Sequence, residues 1–307
     1  MYEKNVFLLE EKVKKHAFIR PVKEHINEDG SFDPTGYVEL FDAAASDFEK
    51  IWLWEDSKDA MGPDASYMVL VPALDKNGNH IKDADTIIVA HGGGFGIRTG
   101  CEGPNVALEF NKRGYNTVIL VYRLLPNSRH DSLKDYLKAV SILRTRQKEF
   151  EISDKIVAMG FSAGAMLSGN VAVYGRDYED YSDRVDLAVI GYGAMSCVSF
   201  PLPFMANVDL GLFGDSDEDR FYFATEKHVT PKTCPMFIWQ TLSDDGRHGM
   251  ALAKALQDAG VPYELHIFDG GVHGLALADG ENDLLDEVPH INHWVDLCDE
   301  WIKMMLK

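Results

Sequence analysis

The sequence contains few cysteines, only four among 307 residues. They are Cys101, Cys197, Cys234 and Cys298, which lie far apart and include no CxxC pair. Zinc sites and disulfide frameworks need cysteines at short, recurring spacings, so this distribution argues against both. We therefore expect reduced thiols that mostly pack as small hydrophobic side chains.

Long apolar runs and a leader-like start are also lacking. The first 18 residues carry charges on both sides of a short apolar patch, without a longer apolar stretch that ends in small residues. No run approaches the roughly 20 apolar residues that a helix needs to cross a bilayer. The sequence therefore predicts no signal peptide, no membrane span and a cytoplasmic location.

Positive charge is scarce relative to negative charge. The chain has 30 Lys and Arg against 49 Asp and Glu, which gives a formal net charge of −19. A surface field of this sign repels polynucleotides and anionic membranes. We expect a small-molecule substrate, neutral or bound in a locally neutral pocket, and neither nucleic acid nor a membrane as a partner.

Seven short apolar runs alternate with helical patterns from residue 66 onward. The predicted strands are 67–71, 86–90, 116–122, 155–159, 185–191, 235–240 and 263–268. Apolar residues at three- and four-residue steps predict helices over 131–146, 248–259 and 289–306. Continuous apolar strands suit a sheet buried on both faces, so we predict an α/β fold with a mainly parallel sheet flanked by helices. Ligands of such sheets bind beyond the carboxyl ends of the strands.

The strongest local signal is a G-x-S-x-G motif at residues 160–164, between a predicted strand and a helical pattern. A serine on a sharp strand-to-helix turn has a strained backbone, and its neighbours two positions away must be small. Gly160 and Gly164 meet that requirement. The turn would place the Ser162 hydroxyl at a helix N-terminus, where developing negative charge is favoured. We interpret Ser162 as a nucleophile; the alternative is an ordinary serine in a tight turn.

A glycine loop, HGGGF at residues 91–95, directly follows another predicted strand. Acyl transfer passes through an oxyanion that needs preorganised N–H donors, and glycines let backbone N–H groups face inward. One donor is expected on this loop and one on the residue after the nucleophile. We predict an oxyanion hole formed by Gly93, Gly94 and Ala163. A phosphate-binding loop is the alternative, but no G-x-G-x-x-G or Walker sequence can be completed here.

A histidine and an acid follow the last two predicted strands. His273 lies in a glycine-rich loop, and neutral imidazole suits the general base that would take the serine proton. Between nucleophile and base, the loop after residue 240 offers Asp244 and the adjacent Asp245. We favour Asp244 as the acid that orients the imidazole and keep Asp245 as the alternative.

Metal binding has little support in the sequence. His290 and His293 stand three residues apart, but no third ligand is evident. The predicted acyl-transfer chemistry also needs no organic cofactor. We therefore expect neither a metal nor a cofactor.

Taken in order, HGGGF, VYRLLP at 121–126 and GFSAG resemble the motifs of hormone-sensitive-lipase-type carboxylesterases of the α/β-hydrolase fold. The segments 51–66, 226–245 and 259–279 resemble bacterial acetyl xylan and feruloyl esterases, a group of carbohydrate esterases. The resemblance covers roughly residues 50–307. It implies a catalytic domain over 51–307 with a cap at about 195–228, and it leaves 1–50 as an amino-terminal extension without an assigned role. It also implies the triad Ser162, Asp244 and His273.

Together these observations predict a serine esterase that hydrolyses esters with small acyl groups through an acyl-enzyme, with acetyl esters of carbohydrates among the candidate substrates. A peptidase or a thioesterase on the same scaffold is the first alternative, since a fold does not settle chemistry. A non-catalytic ligand-binding relative is the second. A homo-oligomer is left open.

Overall fold

A computed structural model of the protein describes residues 2–174, 184–196, 198–200, 216–283 and 287–307. Within these ranges the chain forms one central sheet with helices on both faces. The predicted α/β-hydrolase architecture is confirmed. Residues 197 and 201–215 of the predicted cap, which include 201–205 of the apolar stretch 200–205, lie outside the described residues.

The central sheet has eight strands in the order β1-β2-β4-β3-β5-β6-β7-β8. They are β1 (Ile51–Trp52), β2 (Tyr67–Val71), β3 (Ala84–Ala90), β4 (Asn116–Val121), β5 (Ile152–Phe161), β6 (Leu187–Gly191), β7 (Met236–Thr241) and β8 (Tyr263–Phe268). The β1–β2 and β2–β4 pairs are antiparallel, and the other pairs are parallel. All seven predicted strands are present, and the two-residue edge strand β1 was not predicted.

Helices cover both faces of the sheet. They are α1 (Glu3–Lys14), α2 (Tyr37–Ala44), α3 (Val106–Lys112), α4 (Arg129–Thr145), α5 (Gln147–Phe150), α6 (Ala163–Tyr174), α7 (Asp217–Phe223), α8 (Arg247–Ala259), α9 (Pro289–Asn292) and α10 (Trp294–Met305). Buried side chains of α4, α6 and α8 form one core layer, and those of α1, α2, α3 and α10 form the other. None of the described helices combines the length and the hydropathy of a membrane span.

Strand register places the loops of interest at one edge of the sheet. Ala90, the last residue of β3, lies opposite Gly160 of the parallel strand β5. Thr241 at the end of β7 lies opposite Phe268 at the end of β8. Carboxyl ends of parallel strands share one edge, so the glycine loop, the serine turn, the acid loop and the histidine loop all leave the sheet on the same side.

The amino-terminal residues pack into the same core as the sheet. Leu9, Phe18 and Phe41 are each at most 3% exposed and belong to the layer formed with α3 and α10. An ion pair also buried there joins Asp42 of α2 to Arg98, just beyond the glycine loop, at 3.1 Å. This segment therefore supports the back of the glycine loop.

We expect Asp42→Ala to lower the free energy of unfolding by about 3 kcal/mol, because the Arg98 guanidinium would stay buried without its carboxylate. Urea denaturation measures the change. The matched control is Asp47→Ala, which removes an ion pair with Lys12 whose aspartate side chain is 61% exposed, and it should change stability little. Equal losses in the two variants would show that the buried pair has no special role.

Candidate active site

Ser162 occupies the sharp turn between β5 and α6, in the left-handed region at φ 52°. A β-carbon on Gly160 would lie 2.1 Å from the carbonyl oxygen of Gly164, and one on Gly164 would lie 2.1 Å from that of Ala90. Both glycines are therefore required by close backbone contacts. The Ser162 N–H donates to the carbonyl of Gly191 at 3.0 Å, which fixes the turn against β6.

His273 reaches back from the loop after β8 to the serine. Its Nε2 lies 2.8 Å from the Ser162 Oγ, and its Nδ1 lies 2.5 Å from Oδ1 of Asp244. A carboxylate can only accept hydrogen bonds, so Nδ1 carries the proton and Nε2 is free to accept one from the hydroxyl. The second oxygen of Asp244 accepts a hydrogen bond from the Thr241 hydroxyl at 3.1 Å. The three side chains form a continuous hydrogen-bonded chain, in which the Ser162 proton can pass directly to the imidazole.

The Asp245 carboxylate is hydrogen-bonded to Arg247 and not to His273. It accepts hydrogen bonds from the backbone N–H of Arg247 at 3.2 Å and from that residue's Nε at 2.7 Å. The Arg247 guanidinium lowers the pKa of Asp245 below its usual value. Of the two adjacent aspartates, the structure brings only Asp244 to the imidazole.

The electrostatics of His273 combine opposing effects. Burial alone would lower its pKa, but the hydrogen bond to Asp244, the charge of that carboxylate and the charge of Glu102 together raise it. Neutral imidazole is the form that accepts a proton, so activity that depends on it should increase as the pH rises through this raised pKa.

The glycine loop turns tightly beside the serine. Gly93 and Gly94 have φ values of 103° and 59°, and the Gly93 carbonyl accepts from the N–H groups of Gly96 and Ile97 at 3.0 Å each. Within the described residues, the Gly93 and Gly94 N–H groups have no acceptor. The N–H of Ala163, at the first position of α6, has no partner inside its own helix. The described backbone therefore uses none of these three N–H groups as a hydrogen-bond donor.

His91, at the start of the glycine loop, has a structural role. It is fully buried, and burial together with the charge of Arg98 lowers its pKa to about 3. Its ring stacks on Tyr122 with centroids 4.4 Å apart, and the Tyr122 hydroxyl donates to the His91 carbonyl at 2.8 Å. The neutral ring anchors the loop to the end of β4.

Two residues near His273 were not among the predicted site residues. Tyr192, the residue after β6, packs edge-on against the His273 ring with centroids 5.2 Å apart. Its hydroxyl donates to Oε1 of the buried Glu102 at 2.7 Å. Tyr192 could have been noticed because it follows a predicted strand, but nothing in the sequence pattern set Glu102 apart.

The structure also bears on two other features of the sequence, possible metal ligands and His248. Across the part of the chain that the structure describes, no group of three or more His, Cys, Asp or Glu side chains is placed to hold a metal ion. His248, close to the acid loop, is buried, and burial lowers its pKa. Its Nδ1 accepts from the Ser196 N–H at 3.2 Å, so this histidine serves the packing of α8.

A mostly parallel sheet with a strained serine at its carboxyl edge, facing a histidine and an acid from later loops, defines a protein of the α/β-hydrolase class. A model of the prolyl oligopeptidase family, Peptidase_S9, matches residues 125–299, and the chain belongs to this family.

The chain is also similar to a curated protein of known name. "Endo-1,4-beta-xylanase B" of Butyrivibrio fibrisolvens is 32% identical over 212 residues, which cover 64% of this chain and 33% of the relative. The chain thus spans about a third of the length of the curated relative it matches.

Two solved structures share the fold. An acetyl ester-xyloside bifunctional hydrolase from Caldicellulosiruptor lactoaceticus is 29% identical with a TM-score of 0.70, over 84% of this chain and 96% of its own. Carboxylesterase Cest-2923 from Lactobacillus plantarum WCFS1 has a TM-score of 0.67 at 22% identity, over 78% of this chain and 92% of its own. The resemblance to carboxylesterases of the α/β-hydrolase fold is confirmed.

Proposed function

We propose that this protein is a serine esterase that cleaves carboxylic esters with small acyl groups. The observation that carries the proposal is the 2.8 Å approach of the Ser162 Oγ to Nε2 of His273, whose Nδ1 is held by Asp244. Acyl transfer by a serine requires a nucleophile that is hydrogen-bonded to a base, and a base that is hydrogen-bonded to an orienting acid.

Acylation would begin at the serine. The Ser162 Oγ attacks the ester carbonyl carbon while its proton passes to Nε2 of His273, and Asp244 stabilises the imidazolium that forms. The carbonyl oxygen becomes an oxyanion, which the N–H groups of Gly93, Gly94 and Ala163 would stabilise. The carbon–oxygen bond to the alcohol then breaks, and the alcohol leaves with the proton from His273.

Deacylation repeats the same steps with water. His273 takes a proton from a water molecule, whose oxygen attacks the acyl carbon bound to Ser162. The second oxyanion collapses, the bond to the serine breaks, and Nε2 returns its proton to the serine oxygen. Each half-reaction uses the same donors and the same base, so no resident cofactor enters the scheme.

The proposed substrate class draws on three observations. The net charge of −19 disfavours strongly anionic substrates and suits neutral esters. The relative from Caldicellulosiruptor lactoaceticus, 29% identical over most of both chains, is described as acting on acetyl ester and xyloside substrates. The curated relative matched over a third of its length is named a xylanase. We therefore propose acetyl esters of carbohydrates as the substrates to test first.

A series of p-nitrophenyl esters tests the acyl length. We expect kcat/KM to be highest for the acetate and lower for the butyrate and octanoate. An acetylated xylo-oligosaccharide should release acetate, which an enzyme-coupled assay measures. The highest kcat/KM on octanoate would contradict the small-acyl proposal while leaving the esterase assignment intact.

The name of the family favours a second candidate, a peptidase acting beside proline. The same three side chains could cleave an amide, and fold alone does not separate the reactions. The same series should therefore include a prolyl p-nitroanilide and an acetyl thioester. A kcat/KM on the anilide above that on the acetate ester would replace the esterase proposal with the peptidase.

A further inference from the structure

A second buried carboxylate lies near the proposed catalytic histidine and takes no part in the scheme above. Glu102 is only 2% exposed, and it belongs to the short π-helical turn that precedes α3. Its Oε2 accepts a very short hydrogen bond from the Thr99 hydroxyl, and its Oε1 accepts from the Tyr192 hydroxyl at 2.7 Å. No ion pair with Glu102 occurs among the described residues, so these two hydroxyls are its principal partners.

Tyr192 connects this carboxylate to the histidine loop. Its hydroxyl accepts a hydrogen bond from the Ala276 N–H at 3.0 Å, three residues after His273. Because the hydroxyl accepts there, its own proton is directed to Glu102. The Tyr192 ring meanwhile packs edge-on against the imidazole. One tyrosine therefore touches the base, the backbone of its loop and the buried carboxylate.

Glu102 also touches the glycine loop. A β-carbon built on Gly92 would lie 2.1 Å from Oε2 of Glu102, so the carboxylate packs directly against the backbone next to Gly93. The glycine loop, which carries two of the proposed oxyanion donors, leaves the sheet from β3, and the proposed base leaves it from β8. These two strands are not neighbours. Through Tyr192, Glu102 links these two loops.

We propose that Glu102 is a positioning residue that holds the glycine loop and the histidine loop in register through Tyr192, and that its negative charge favours the protonated imidazole formed during the reaction. This inference rests on the proposed function, because it assigns Glu102 a part in the same site. The residue contacts neither Ser162 nor His273 directly, so it acts through the tyrosine and through its charge.

Few other charges act on His273, so the effect of the Glu102 charge on the imidazole should be measurable. Asp244 faces the imidazole from the loop after β7, and Tyr192 faces it from the end of β6. His248 of α8, near Asp244, has its pKa lowered by burial, which favours its neutral form. Asp244 and Glu102 are thus the negative charges that raise the pKa of His273.

The groups behind Glu102 contribute little opposing charge. The Cys101 thiol donates to Asp283 at 3.3 Å, and burial raises the pKa of Cys101 well above its usual value. Burial also raises the pKa of Asp283 to about 6. The buried cation Arg98 is paired with Asp42. Because the charge of Glu102 also helps to raise the pKa of Asp283, its removal should lower the pKa of Asp283 as well as that of His273. A titration that observes the imidazole itself separates the two groups.

The test compares Glu102→Gln with the wild-type protein over a range of pH on p-nitrophenyl acetate. We expect kcat/KM at its plateau to fall by about tenfold to a hundredfold, because the loops lose their register. The acidic limb of the profile should move to lower pH, because loss of a negative charge lowers the pKa of His273. Titration of the His273 imidazole by NMR should move in the same direction.

A matched control separates positioning from stability. Asp299 of α10 is another buried carboxylate that accepts from a tyrosine, Tyr115, at 2.9 Å. Tyr115 precedes β4 and so lies at the opposite edge of the sheet. Asp299→Asn should destabilise the protein but leave the pH limb and the His273 titration unchanged.

The outcomes are distinct. A Glu102→Gln variant whose pH limb and His273 titration match those of the wild type overturns the inference, whatever its stability. Should that variant fail to fold, Tyr192→Phe tests the same link, and it must lower kcat more than it raises KM; unchanged kcat would refute the proposal. Failure of the proposed function shows separately, as absence of fluorophosphonate labelling of Ser162 in the wild type, while the His273 titration still reports the charge of Glu102.

Discussion

Ser162→Ala is expected to abolish covalent labelling by a fluorophosphonate and to lower kcat/KM on p-nitrophenyl acetate by on the order of 10⁴ or more. The hydroxyl is the atom that His273 approaches at 2.8 Å, and alanine leaves the imidazole without a nucleophile to activate. Intact-protein mass spectrometry measures the label, and steady-state kinetics measure the rate.

Ser168→Ala provides the control for this prediction. Ser168 lies in α6, the helix that begins directly after Ser162, and it is fully buried. Its hydroxyl lies 3.3 Å from that of Tyr136 rather than near His273. That variant should label and turn over like the wild type. Turnover retained in Ser162→Ala, or labelling at another serine, would reject Ser162 as the nucleophile.

Asp244→Asn should lower kcat/KM on the same ester by about 10³- to 10⁴-fold, because an amide can present N–H to the imidazole and favour the wrong tautomer. The present carboxylate lies 2.5 Å from Nδ1 of His273. Since the charge of Asp244 also helps to raise the pKa of His273, the residual activity should extend to lower pH. A pH profile of kcat/KM measures both effects.

The adjacent aspartate is the matched control. Asp245 forms its contacts with Arg247, away from the imidazole. Asp245→Asn should therefore keep nearly all of the wild-type activity, even though the substitution is chemically identical and one residue away. A large loss in Asp245→Asn with little loss in Asp244→Asn would reverse the assignment of the acid.

The strands could be predicted because their apolar runs are continuous. A strand buried on both faces, such as β2 or β7, must be apolar at nearly every position, and that pattern is local in the sequence. The same argument failed for β1, which has only two residues at the edge of the sheet and pairs with β2 alone. Short edge strands bury too little surface to leave a pattern.

The serine turn was predictable for a related reason. Its glycines are required by contacts with backbone atoms close along the chain or in the adjacent strand, so the requirement appears as a motif. The choice between Asp244 and Asp245 was different. Both follow β7 in the same loop, and only the position of His273, which comes from β8, separates them.

The sequence by itself determined seven of the eight strands of the sheet, because their apolar runs are local. It also determined the serine turn, the glycine loop and the histidine loop, because each depends on local backbone geometry. Only the tertiary structure decided which aspartate meets the imidazole, how residues 2–50 support the glycine loop, and that Glu102 links two loops through Tyr192. These are contacts between segments far apart in the chain, where burial and charge act through space and leave no spacing to read.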